Sequence, residues 1–198
     1  MDLPTMRDLV RRDLKDEDPL DERWTDDELD RAIQRAVSEF STRIPREMKN
    51  TIATVDGSRE IDVSSLTDRV SVDAVELPVD EHPRVFQRFA LYQDTITLTG
   101  DREGDGEDCY IFWSKAHTLD AGTSTIPTQF EALAALGASA YAAISASVYS
   151  TNRVTIGGSN VDRDYHYWGR GRLMEFQKEL KRLSPKRKLR VGRFYAED

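Results

Sequence analysis

Cysteine is nearly absent from this sequence, with Cys109 alone among 198 residues, and one thiol excludes an internal disulfide and any cysteine-based metal cluster. Cys109 falls in an alternating, strand-like run, where a buried and inert thiol is expected. Histidine is scarce as well: His82, His117 and His166 are scattered, form no His-x-x-x-His pair and leave no zinc site to build, so they are expected to be structural or surface residues. No apolar run reaches the roughly eighteen residues of a membrane span. Residues 126–148 come nearest, and Pro127, Gln129 and Glu131 interrupt them. The opening residues, Met-Asp-Leu-Pro-Thr-Met-Arg-Asp, hold no basic leader followed by an apolar stretch, so neither a secretory signal nor a transit peptide is expected. A Gly-x-Ser-x-Gly nucleophile elbow is missing, and so is the Gly-Lys-Ser/Thr ending of a phosphate loop. With no cofactor, metal or catalytic residue to expect, the sequence reads as an interaction part.

What is present is charge, unevenly placed. The formal net charge is −8, yet the first thirty residues hold twelve acids against five bases, whereas Arg163 to Arg193 hold eleven bases against three acids. With 38% hydrophobic and 32% charged residues and a mean hydropathy of −0.61, the chain has much surface for its volume, as extended or ring-forming shapes do. Its length suits one ordinary domain, or one domain with an insertion.

Periodicity divides the chain. Met6, Leu9, Val10 and Leu14 are spaced for a short amphipathic helix over 5–14, ended by Asp18-Pro19. Thr25 and Glu28 form a capping box, with acids at the positive end of the helix dipole, and Leu29, Ile33, Ala36, Val37 and Phe40 continue as one apolar stripe up to Pro45. From Thr51 to Thr118 the period shortens to two, which predicts β-structure. Thr51–Val55, the Asp56-Gly57 turn and Ser58–Val63 read as a hairpin. Further strands are expected over 69–77, 84–91, 95–99 and 108–113, the last two flanking a polar loop at 100–107 that is expected to be solvent-exposed. Pro127 opens a third helix with Phe130, Leu133, Ala134, Gly137, Ala138, Tyr141 and Ile144 inward, and its many small residues predict close helix approach. After a loop at 152–160, a fourth helix over 164–183 carries Tyr167, Trp168, Leu173, Phe176 and Leu180 as its apolar residues, and Pro185 stops it. The expected fold is α+β but mainly α. It consists of a bundle of about four helices (body 5–48 and 126–184) with a β-rich insertion (50–118), in a single domain over 1–184, followed by an extended C-terminal arm over 185–198.

Three candidates for chemistry resolve to structural roles. Asp101-x-Glu103-x-Asp105-Gly106 resembles the start of a calcium loop, but its twelfth position is Phe112 and strands flank it, so a solvated hairpin tip is expected. Asp26-Asp27 is explained by capping. Gly157-Gly158 and Gly169-Arg-Gly171 are too short to cradle a phosphate. The arm is different: Lys186, Arg187, Lys188, Arg190 and Arg193 are interleaved with Leu189, Val191, Phe194 and Tyr195, a pattern suited to docking on a partner protein, and also to phosphate contact with base stacking. The acidity of the remaining chain favours the protein partner, because it repels DNA.

The order of these elements, the Trp-Thr-Asp-Asp-Glu-Leu start at Trp24–Leu29, the Ile44-Pro45 helix end, and Phe112-Trp-Ser-Lys-Ala-His-Thr-Leu119 leading to Ser124-Thr-Ile-Pro127 and an Ala-rich helix, resembles the head-to-tail adaptor (connector) proteins of tailed bacteriophages. The resemblance covers most of the chain through diffuse patterns. It implies a structural virion protein at the portal vertex, assembled in the host cytoplasm. Identical subunits, twelve in that family, would form a ring bound to the portal protein and to a tail or head-closure protein. DNA would pass through the ring without specific binding, and no membrane would be involved. On this sequence the portal-docking arm would be Pro185–Asp198. The alternatives are a DNA-binding or packaging accessory protein using the basic tail, and another connector-layer part such as a tail completion or stopper protein.

Overall fold

A computed structural model describes residues 1–150 and 161–184. The expected loop at 152–160 and the arm at 185–198, with its candidate docking residues from Lys186 to Tyr195, lie outside the described residues. Among those described are four helices, α1 (Leu3–Leu14), α2 (Asp26–Arg43), α3 (Glu131–Ser150) and α4 (Val161–Leu183). The strands are β1 (Arg46–Ala53), β2 (Glu60–Asp62), β3 (Arg69–Glu76), β4 (Phe86–Gln87), β5 (Phe89–Tyr92), β6 (Thr95–Leu98) and β7 (Asp108–Lys115).

This corrects the expectation of a mainly helical bundle. The seven strands form two antiparallel sheets, ordered β1-β7-β3-β4 and β2-β6-β5, and the fold is mixed α+β. The physical reason is that the middle third has its own core rather than decorating the helices. Ile61, Ile96 and Leu98 from one sheet meet Val75, Cys109, Ile111 and Trp113 from the other, with Val63, Leu66 and Leu77 joining them. The chain accordingly divides into two compact units, a helical one containing Met1–Ile44 and the chain from His117 through α4, and a β one spanning Pro45–Ala116.

In the helical unit, local signals place the elements. Asp2 caps α1 by accepting from the Thr5 N–H, and Lys15, in the left-handed region at φ 59°, ends it three residues before Asp18-Pro19. The Thr25–Glu28 capping box starts α2 as expected, and its whole stripe from Leu29 to Phe40 is buried. The third helix differs from the one-sided reading. Ala134, Ala135, Ala138, Ala140, Tyr141, Ala142 and Ala143 are all buried, because α3 packs against α1, α2 and α4. Small residues let it do so. A Cβ on Gly137 would stand 2.8 Å from Cζ of Phe176, and one on Gly169 would stand 2.9 Å from Cγ1 of Ile144.

The β unit revises two local expectations. The Asp56-Gly57 turn forms, with Gly57 at φ 71° and the Ser58 N–H donating to the Val55 carbonyl at 3.0 Å, but the strands it joins do not pair with each other. β1 pairs with β7 and β2 with β6, so the turn carries the chain between sheets. The run read as one strand over 84–91 is likewise broken into β4 and β5, one in each sheet. Turn chemistry is local, whereas pairing is chosen by which faces bury apolar side chains.

Candidate interaction surface

The acidic N-terminal region is organised around two arginines of α1. Arg11, only 7% exposed, donates to Asp16 at 2.7 Å, to Asp26 at 2.8 Å and to Glu22 at 3.2 Å. Asp16, equally buried, also accepts the backbone N–H groups of Arg23 at 2.7 Å and Trp24 at 3.3 Å, which folds the connection between α1 and α2 back onto the helix. Arg7 holds Asp30 through two bonds, at 2.9 and 2.8 Å, and Asp26 at 2.7 Å. The bond from Arg11, with the charges of Arg7 and Arg11, keeps the Asp26 carboxyl below the usual carboxylate range. Trp24 anchors the same connection in the core: its Nε1–H donates to the Ala142 carbonyl at 3.2 Å, and its ring meets Tyr165 edge-on at 5.6 Å. Glu17, Asp18, Asp21, Asp27 and Glu28 remain exposed, so the region presents a formed acidic surface rather than a loose tail.

The fourth helix presents the opposite sign. Arg170, Lys178, Lys181 and Arg182 are exposed along it, and Arg172 reaches back to Asp13 at 3.0 Å. Tyr167 and Trp168, read from sequence among the helix's apolar residues, are exposed, as is Met174. Sequence reasoning missed Met174 and the exposure of Tyr167. The signal was available in their spacing, which places both half a turn away from the Phe176–Leu180 stripe.

The residues examined for chemistry take structural places. Cys109 is buried between strands, and burial pushes its thiol up to about 11. His117 is buried beside Phe40, its Nδ1 2.8 Å from the Thr125 carbonyl, while His82 is exposed and His166 is partly buried, edge-on to Tyr167. In the loop at 100–107, Arg102 binds Asp105 and Arg59 binds Glu103, and the first pair lowers the Asp105 carboxyl. Contrary to the expectation of a wholly exposed loop, Gly104 is buried and docks on the 55–58 turn, its N–H 2.7 Å from the Ser58 carbonyl. A Cβ there would stand 2.5 Å from the Val55 carbonyl oxygen, so the position requires glycine. No group of three or more His, Cys, Asp or Glu side chains suited to a metal ion occurs among the described residues. No described helix is long and apolar enough to cross a membrane. The expected arm residues Lys186, Arg187, Lys188, Leu189, Arg190, Val191, Arg193, Phe194 and Tyr195 lie outside the described residues.

No protein-family model matches the sequence, and no curated protein matches it either.

Proposed function

We propose that this chain is a head-to-tail adaptor of a tailed bacteriophage, a non-enzymatic virion part. In this reading a ring of identical subunits docks on the portal protein through the 185–198 arm and joins a tail or head-closure protein on its other side. The observation that carries the reading is the division of charge, with a formed acidic surface on α1 and α2 and bases running from α4 into the sequence beyond it. An acidic surface neutralises no phosphates and releases no counterions, so DNA moves past it without sticking. Ends of opposite sign also speed encounter between parts and fix their register. The sequence resemblance to connector proteins points the same way.

The test is capture of the protein by the portal protein of the same virus, with and without residues 185–198. Full-length protein is expected to bind and the truncated protein to stay folded and unbound; binding that survives the truncation removes the arm from the reading. Phe194→Ala and Tyr195→Ala are expected to weaken capture more than any single lysine change, because buried aromatic anchors dominate interfaces. A second reading, a DNA-binding or packaging accessory, draws on the same Lys/Arg and aromatic pattern. Its mark is DNA affinity that falls steeply with salt, by about 0.9 decades per tenfold salt for each phosphate neutralised.

A further inference from the structure

Two large apolar side chains stand exposed among charged ones on the outward side of α4. Tyr167 and Met174 are 66% and 67% exposed, while Phe176 and Leu180, on the opposite stripe, are buried in the core of the helical unit. Gly171 lies between Tyr167 and Met174 on that outward side, four residues from one and three from the other, and a Cβ added to it would meet nothing within 4 Å. Glycine inside a helix is destabilising relative to alanine, and no contact among the described residues requires it here. Its effect is a shallow notch between two exposed apolar side chains, bordered by the exposed charges of Lys178, Arg170 and Glu175, two bases and one acid.

The same chain carries a complement to that notch. Leu20, 97% exposed, projects from the connection between α1 and α2. The turn that presents it is formed, with the Leu20 N–H donating to the Asp18 side chain at 3.0 Å and the Asp21 N–H to the Asp18 carbonyl at 3.1 Å. Glu17, Asp21 and Glu22 lie within three residues of it, Glu17 and Glu22 standing at 3.5 Å from Arg12 and 3.2 Å from Arg11. One apolar knob in an acidic stretch and one apolar notch with a net basic border are each exposed among the described residues.

We propose that the acidic connection of one copy seats on α4 of a second copy, with Leu20 in the notch at Gly171 and its acids facing Arg170 and Lys178. The occupant is a second copy because both halves belong to this chain, match in polarity and are opposite in charge. The inference deepens the ring reading above and rests on it for closure. In the ring reading each copy gives its connection to one neighbour and its helix to another, the head-to-tail arrangement that closes when its rotation permits; reciprocal seating of the same two surfaces would give a two-fold dimer instead.

Full-length Leu20→Cys and Met174→Cys variants, both altered at exposed positions, test this with a short bis-maleimide; Cys109 is buried and its thiol is held protonated. Mixing the two is expected to give covalent dimers at least about tenfold above either variant alone. The yield should fall as salt rises, and the double variant should give a ladder. Met174→Cys crosslinking to itself as well as to Leu20→Cys would overturn the contact in favour of helix against helix. No crosslinking at protein concentrations up to ~1 mM would overturn it outright. Sedimentation of the unaltered protein separates the two readings. Oligomers without the Leu20–Met174 link remove this surface and leave the ring, whereas mixed dimers with no ladder from the double variant uphold the surface and remove the ring.

Discussion

Two glycines on adjoining helices illustrate how one residue type answers opposite demands. Gly137 faces the Phe176 ring so closely that its Cβ would fall 2.8 to 3.0 Å from three ring carbons, whereas Gly171 faces open space. Gly137→Ala gains up to about 1 kcal/mol of helix propensity but overpacks the α3–α4 contact at a cost of roughly 1–3 kcal/mol. It is expected to lower stability in urea unfolding. Gly171→Ala has only the favourable contribution and is expected to raise stability by about 0.5–1 kcal/mol. Cys109 supplies a pH test. Its folded thiol, near 11, lies above the roughly 8.5 of an unfolded one, so the folded state keeps a proton that the unfolded state loses. The stability this gives is fully present below about pH 8.5 and is lost as pH rises through 11. The stability difference between the wild type and Cys109→Ala, measured at pH 8 and again near pH 11, is therefore expected to shrink by on the order of 2 kcal/mol.

At the scale of elements, the pairing of α1 with α2 depends on a buried charge. Arg11 and Asp16 are both nearly inaccessible, and Asp16 accepts two backbone N–H groups besides the guanidinium. Removing one member of such a pair leaves the other buried and uncompensated, so Arg11→Ala is expected to cost about 3–5 kcal/mol in thermal or urea unfolding. Its sequence neighbour is the control. Arg12 is 65% exposed and stands 3.5 Å from an exposed Glu17, so Arg12→Ala is expected to change stability by less than about 1 kcal/mol. Equal losses in the two variants would show that the network contributes through surface charge rather than through its buried pair.

For the whole molecule, the division into two units has a measurable consequence. The chain leaves the helical unit at Ile44 and returns at His117, and these points are close together: the His117 N–H donates to Oγ of Ser41 at 2.9 Å, and its ring packs on Phe40 at 5.3 Å. Among the described residues, the core from Met6 to Leu180 is built by the helical unit's own side chains. Replacing residues 45–116 with a short Gly/Ser linker is expected to leave a chain with helical circular dichroism and a cooperative thermal transition, since closing a short loop adds little entropy. Loss of cooperativity would show that the helical core does not stand by itself.

The sequence by itself determined that four helices form and where α2 starts, because a capping box, a stripe at i, i+3 and i+4, and a stopping proline act within one or two turns of chain. It also determined the charge reversal and the strand-like character of the middle third, which period-two alternation carries wherever the strands end up. Pairing was not legible in it. Asp56-Gly57 makes the same tight turn whether its flanking strands join each other or part into two sheets, and burial of Ile61 against Ile111 and Trp113 decided that they part. Spacing separates the two faces of α4, but which of them is covered was decided in the packed unit, where Phe176 meets Gly137 and Tyr167 stays 66% exposed. Local signals set what each segment becomes. Which of its faces is covered depends on partners distant in the chain, and only the packed tertiary structure supplies those.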